Sequence, residues 1–442
     1  MMHAGRIACL PLALVAATSI AAGPHGAGHG TYVIQNGTLY TVSGPVIQRG
    51  SVVIADGRIA QVGAQVTVPA GAQVVDAGGL SVYPGLFHGD SQVGMQKTVE
   101  GSMGQIRPQL QPYASFHFDD SDAEALRLSG ITQVMVRPLH LEFPGGYSRP
   151  GLVPGQASVL SLQGGSPEDM VVARGAGVVV HFPTVGLLDY MDDERFAQTT
   201  WTETKAKHDK EMTALERFFD DARKYMQRKD ALPAAEQART APAPAFEAMI
   251  PVFRRERPLL LDVDNHVDVR NAVAFAEAQK VDYVLLGAEG AADDLDFLEQ
   301  HNARVIITSP YKVAESQFED MAIDGLRQLP AKLHAKGIPF ALSSSVANGI
   351  NPRLLPYEAG TAAAYGLPKD VALKSVTLAP AQLLGVDKEL GSLDAGKRAN
   401  IVVADGDILE PGTRVLHMFI NGEPVDLETE DARLFEYYKN RR

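Results

Sequence analysis

Two short runs of this 442-residue chain set ligand-type side chains at alternate positions: His88, Asp90 and Gln92 in one, Asp262, Asp264 and His266 in the other. On an extended strand alternate side chains leave the same face, so each run presents its set to one side. If both runs end at one opening, His88, Asp90, Asp262, Asp264 and His266 could hold a hard cation or a single transition metal such as zinc. Gln92 is a poor ligand for zinc-type ions, which imidazole suits. The later run has a second reading, in which Asp264, Asn265 and His266 cap a helix starting near Val267. His140, His181 and Glu289 also fall near expected strand ends, where a lone His or Glu is more often structural than catalytic. Without a Gly-x-Ser-x-Gly elbow, a P-loop or a Gly-x-Gly-x-x-Gly fingerprint, serine-esterase, NTPase and dinucleotide chemistry have no support.

The elements that would position these residues are legible as apolar runs alternating with helical patterns, the rhythm of βα repeats. Eight strands are expected: Val82–Phe87, Ile131–Val136, Ser158–Leu162, Val178–His181, Leu259–Val263, Tyr283–Leu286, Arg304–Ile307 and Ile338–Leu342. Eight suggests a (β/α)8 TIM-like barrel, and the chain is long enough for one of about 250 residues plus a smaller domain. Ser121 to Glu124 read as a capping box for a helix that Gly130 ends. Residues 190–247 break the rhythm with a charged helical insertion and an Ala/Pro linker. Within it Met212, Leu215, Phe218, Phe219, Tyr225 and Met226 form an apolar stripe, which packs on its own barrel or covers a partner. At the two chain ends, alternating runs are punctuated by Asn36-Gly37, Asp56-Gly57, Asp405-Gly406 and Asn421-Gly422, all hairpin-type turn signals.

Residues 1–21 read as a secretory signal, with Arg6 ahead of an apolar run and Ser19-Ile20-Ala21 as a small-x-small cleavage site. The single cysteine, Cys9, lies inside that run, so the mature chain would carry no thiol. No other segment approaches the roughly 20 apolar residues of a spanning helix. A soluble, exported, bacterial periplasmic protein is expected. Forty basic against fifty-three acidic residues, a net charge of −13, argue against nucleic acid or an anionic membrane surface as partner.

Tyr83-Pro84-Gly85-Leu86-Phe87-His88 resembles the first-strand motif of the metal-dependent amidohydrolase superfamily. So does the stretch Leu373–Gly385 followed by Gly391-Ser392-Leu393-Asp394-Ala395-Gly396-Lys397-Arg398-Ala399-Asn400, which is like that superfamily's C-terminal tail. Gly155-Gln156-Ala157 and Asn351–Pro356 are similar to its exported, imidazolonepropionase-like branch. The resemblance implies a barrel over 81–390 and a composite β-sandwich from both chain ends, residues 31–80 plus 391–430. It also implies metal-dependent hydrolysis of amide or cyclic-amide C–N bonds.

By the same resemblance the metal-ligand positions fall on Asp90 and Gln92 in strand one, Asp262 in strand five, Leu286-Gly287 in strand six and Ser343-Ser344-Ser345 in strand eight. In that family the strand-eight residue is an Asp that also serves as general base. The family positions therefore hold Asp90, Gln92, Asp262 and Ser345 in place of its usual ligands. Two function classes follow. One is a degenerate member without cofactor that binds a small amide ligand or serves as a partner subunit, as a homodimer or with a metal-competent paralogue. The other is an active hydrolase of small amides or dipeptides, using zinc or another divalent metal at a rebuilt mononuclear site.

Overall fold

The structure is a computed structural model that describes residues 30–91, 93–95, 106–117, 121–138, 141–143, 146–148, 151–184, 200–237, 239, 241–263, 265–292, 294–308, 324–344, 352–428 and 430–439. Residues 1–21, Gln92, His140, Asp264, Ser345 and the start of the insertion, 190–199, lie outside the described residues.

From the N-terminus come β1 (Tyr32–Leu39), β2 (Ile47–Ala55), β3 (Arg58–Gly63), β4 (Gln73–Asp76) and β5 (Ser81–Pro84). Next are β6 (Leu86–Ser91), β7 (Ile131–Val136), a small hairpin of β8 (Leu141–Phe143) and β9 (Gly146–Ser148), then β10 (Gly155–Ser161) and β11 (Val171–His181). The series continues with β12 (Leu259–Val263), β13 (Tyr283–Gly287), β14 (Val305–Ile307) and β15 (Phe340–Leu342). It ends in β16 (Ile401–Ala404), β17 (Val415–Ile420) and β18 (Glu423–Pro424).

Strands from both chain ends join one eight-stranded sheet, because β5 pairs β1 on one edge and β16 on the other. Its core gathers Ile34, Leu39, Val52 and Ile54 with Ile401, Val403 and Phe419. Asp56-Gly57 and Asn421-Gly422 make the tight turns expected of them, both residues of each pair having positive φ. Asn36-Gly37 does not. It lies inside β1, where the register to β2 shifts on either side of Gly37, so it forms a bulge.

The first expected barrel strand is split in two. Residues 81–84 belong to the terminal sheet, and the barrel strand proper starts at Leu86. Gly85 is the bend between them, where a Cβ would stand 1.9 Å from Thr132 Oγ1, so only glycine lets the chain pass.

All eight expected runs contribute to the barrel sheet, ordered β6-β7-β10-β11-β12-β13-β14-β15. One departs from the (β/α)8 rule: β10 runs antiparallel to both β7 and β11. The cause is chain length, since the link 162–170, carrying only the helix Pro167–Met170, is shorter than the dozen or so residues a parallel crossover needs. The barrel interior is filled by Phe87, Met135, Val159, Val179, Leu260, Val284, Ile306 and Ala341. The intervening residues, such as Val134, Val178, Leu259 and Leu261, pack outward against the helices. Burial on both faces is why these strands read as continuous apolar runs.

The insertion holds a 31-residue helix, Trp201–Ala231, started by a capping box in which Thr200 and Glu203 satisfy each other's backbone donors. Its stripe turns inward. Leu215, Phe219 and Ala222 are fully buried in the barrel's outer core, and Phe219 sits 5.0 Å, ring to ring, from Phe275. Leu215 and Phe219 are therefore not offered to a partner, and the covering-helix alternative fails at those two positions. Among the described residues no helix is long and apolar enough to cross a membrane.

Candidate active site

Side chains at the barrel mouth follow the strand alternation. Arg137, His181 and Asp262 stand two residues beyond the interior-facing Met135, Val179 and Leu260, so they point inward where those strands end. His181 and Asp262 are also direct partners across the β11–β12 pairing. On β6 the register shifts between His88 and Ser91. A bulge of that kind re-aims a side chain, and here it breaks the shared face expected of His88 and Asp90.

The result is a chain of charges centred on Arg137. Its Nε and Nη2 donate to Asp90 Oδ1 and Oδ2 at 2.7 and 3.1 Å, a two-pronged guanidinium–carboxylate pair. Its Nη1 donates to Asp262 Oδ2 at 2.9 Å. The same oxygen lies 2.8 Å from His181 Nδ1. An ionised carboxylate can only accept, so His181 donates from Nδ1, and its Nε2 is buried without a hydrogen-bond partner. The Arg137 side chain is 12% exposed, that of Asp90 2% and that of Asp262 25%. Burial alone would raise the Asp262 carboxyl, but Arg137 and then His181 outweigh it and hold it well below the usual carboxylate range.

His88 faces elsewhere. Its Nδ1 is 3.0 Å from Ser343 Oγ, and that hydroxyl also accepts the backbone N–H of Asp90 at 2.8 Å. Ser343, just beyond β15, thus ties that edge of the sheet to β6 through its side chain. Burial pushes the His88 imidazole down to about 4, so it is neutral at physiological pH. Beside this seam Glu358, on the helix Leu355–Ala364, is buried with neither carboxyl oxygen hydrogen-bonded, and burial raises it to about 8.

That seam yields a measurable consequence. A carboxyl raised from 4.5 to about 8 in the folded state contributes most stability below its ordinary value, and the contribution is lost as pH rises through about 8. Glu358→Gln should therefore stabilise the protein by about 2 kcal/mol near pH 8 and by much less near pH 5, read from urea unfolding at both. An unchanged difference between the two pH values would contradict this placement of the proton.

Of the residues singled out in the sequence, Asp90 and Asp262 are brought together, by a guanidinium. His266 is exposed at the start of the helix His266–Ala278, whose cap is Asn265 accepting from the Asp268 N–H. Glu289 accepts the Thr308 N–H at 2.8 Å and latches the end of β13 to β14. Gly287 stands where the family would have a ligand, with positive φ and no room for a Cβ against Val263 O. Arg137 and Glu358 were not singled out at all. The signal for Arg137 was a lone cation closing the apolar run Ile131–Val136, while two carboxylates elsewhere needed a counter-charge.

A metal ion of the family kind does not fit this arrangement. Both carboxylates already face one cation, His88 holds Ser343 through Nδ1 while its buried Nε2 has no hydrogen-bond partner, and among the described residues no three His, Cys, Asp or Glu side chains converge.

Residues 254–425 match a family model described as the amidohydrolase family. Among curated proteins, an amidohydrolase, tasK, of Hapsidospora irregularis is 40% identical over 89 residues, covering 19% of this chain and 9% of that protein. An N-acetylglucosamine-6-phosphate deacetylase of Caenorhabditis elegans is 34% identical over 106 residues, 24% of each chain. The matched parts thus span less than a quarter of either relative's length. Among solved structures, an amidohydrolase from Thermotoga maritima MSB8 superimposes with a TM-score of 0.73 at 22% identity, covering 89% of this chain and 99% of its own. Molinate hydrolase follows with a TM-score of 0.53 at 17% identity, covering 91% and 96%. Residues 254–425 thus match the amidohydrolase family model, and the chain shares its fold with an amidohydrolase of known structure over 89% of its length.

Proposed function

We propose that this protein is an exported amidohydrolase-fold protein that does not run the family's metal-dependent hydrolysis and instead binds a small amide-type ligand at the barrel mouth. One observation carries the reading: Arg137 joins Asp90 and Asp262, the strand-one and strand-five positions at which the family resemblance puts metal ligands. Export rests on residues 1–21 alone.

A second reading draws on a specific contact. With Nδ1 held by Asp262 and Nε2 free, His181 is arranged as a positioned base, so water activation by imidazole is the form hydrolysis would take here. Assays on small amides and dipeptides separate the two. The first reading expects no turnover above background with either chelator or added zinc. Turnover that persists in chelator and is lost in His181→Ala would select the second. Metal-stimulated turnover lost in Asp262→Ala would overturn both.

A further inference from the structure

We propose that the helix Glu430–Lys439 is a self-association element, which pairs antiparallel with the same helix of a second copy of this chain. The inference is independent of what the barrel mouth binds.

The helix follows β18 and spans ten residues. Every side chain from Arg433 to Lys439 is exposed, so this stretch buries no face against its own chain. Leu434, Phe435 and Tyr438 are 43%, 64% and 61% exposed, and their spacing gathers them on one side of the helix. Single exposed apolar side chains are ordinary, whereas a helical stripe of them marks an interaction surface. A helix this short is also marginal in water without packing. The stripe therefore calls for cover.

Charge identifies the cover. Within the chain Arg433 lies 3.7 Å from Asp426, and Lys439 donates to Glu436 at 3.0 Å. The other charges are polarised along the sequence: Glu430 and Asp431 open the helix, and Arg441 and Arg442 follow its end. Two such helices laid antiparallel set each acidic start beside the partner's basic end, while the stripes of Leu434, Phe435 and Tyr438 meet between them. A parallel pair would set like charge against like. The antiparallel pair has a two-fold axis, so it closes at two copies. An anionic lipid surface fits less well, because the chain carries a net charge of −13.

Size sets the strength. A ten-residue helix is about 15 Å long, so the pair buries well under the roughly 800 Å² per partner of a standard interface. The dimer is accordingly concentration-dependent, with a dissociation constant of about 1–100 μM.

Sedimentation equilibrium of the full chain from about 1 to 100 μM tests this. The mass should rise toward twice that of the monomer, and deletion of residues 429–442 should hold it at the monomer throughout. Phe435→Glu should weaken association at least about 30-fold while leaving the urea unfolding midpoint unchanged, because the side chain is exposed in the monomer. Two charge-reversed chains test the orientation: Glu430→Lys with Asp431→Lys, and Arg441→Glu with Arg442→Glu. Each alone should associate more weakly than the parent, and an equimolar mixture of the two should restore the dimer. A parent chain that stays monomeric to about 100 μM, or a dimer that survives the deletion, would overturn the proposal. So would charge-reversed chains that each dimerise as well as the parent, or a monomeric parent that sediments with phosphatidylglycerol vesicles through Phe435.

Discussion

Replacing Arg137 with alanine should cost about 3–5 kcal/mol of folding stability in urea unfolding at neutral pH with chelator present, because it strands two carboxylates, one of them almost wholly buried, without a counter-charge. The figure is the penalty for breaking a buried pair, not the net worth of the pair. Substituting the whole trio by well-packed apolar residues would cost far less. The pH dependence adds a second handle. Asp262 is held below its ordinary range in the folded state, so the stability it contributes is present above that range and lost on acidification. The gap between Arg137→Ala and the parent should accordingly narrow as pH falls into the carboxylate range. A loss under about 1 kcal/mol at neutral pH, the value of a surface pair, would show that the guanidinium is not buried between the carboxylates.

Phe219→Ala should cost about 3–5 kcal/mol as well, and Phe219→Lys should prevent folding of the barrel. The side chain is fully buried, with Phe275, Phe253 and Phe218 arranged edge-on around it at 5.0, 6.0 and 6.2 Å. Truncation leaves a cavity that rigid neighbours cannot fill, and lysine would bury an ammonium without a partner. Trp201, on the same helix but 57% exposed, is the internal control, and its replacement by alanine should change stability by less than about 0.5 kcal/mol. Soluble, folded Phe219→Lys would mean that the helix Trp201–Ala231 is not part of the barrel's own core.

How far these features could be read from residues alone depends on what each one requires. The barrel strands were legible because Leu259-Leu260-Leu261 and Tyr283-Val284-Leu285-Leu286 are apolar on both faces, as a sheet covered by helices demands. The direction of β10 was not. Apolar runs have no polarity, and only the shortness of the link 162–170 decides it. Asn36-Gly37 misled because a bulge inside a strand and a hairpin turn want the same φ-positive residues.

At the site, Asp90 and Asp262 stood out as carboxylates at metal-ligand positions, yet what they bind could not be seen. Arg137 is some 47 residues from one and 125 from the other, and only barrel closure brings the three together. Glu358 was hidden for a related reason. In sequence Tyr357-Glu358-Ala359 looks like any helix surface, and its burial is set by the packing of the helix Leu355–Ala364 against β15 and its neighbouring helices. The insertion stripe was read correctly as apolar and helical, but spacing cannot say which surface it covers.

The central claim is that a guanidinium, and not a metal ion, supplies the cation at the barrel mouth. Elemental analysis of the chain purified from cells grown with supplemental zinc and manganese, after gel filtration without chelator, tests it most directly. The account predicts well under one tightly bound transition-metal ion per chain; two per chain, or one that is lost on Asp262→Ala, would contradict it.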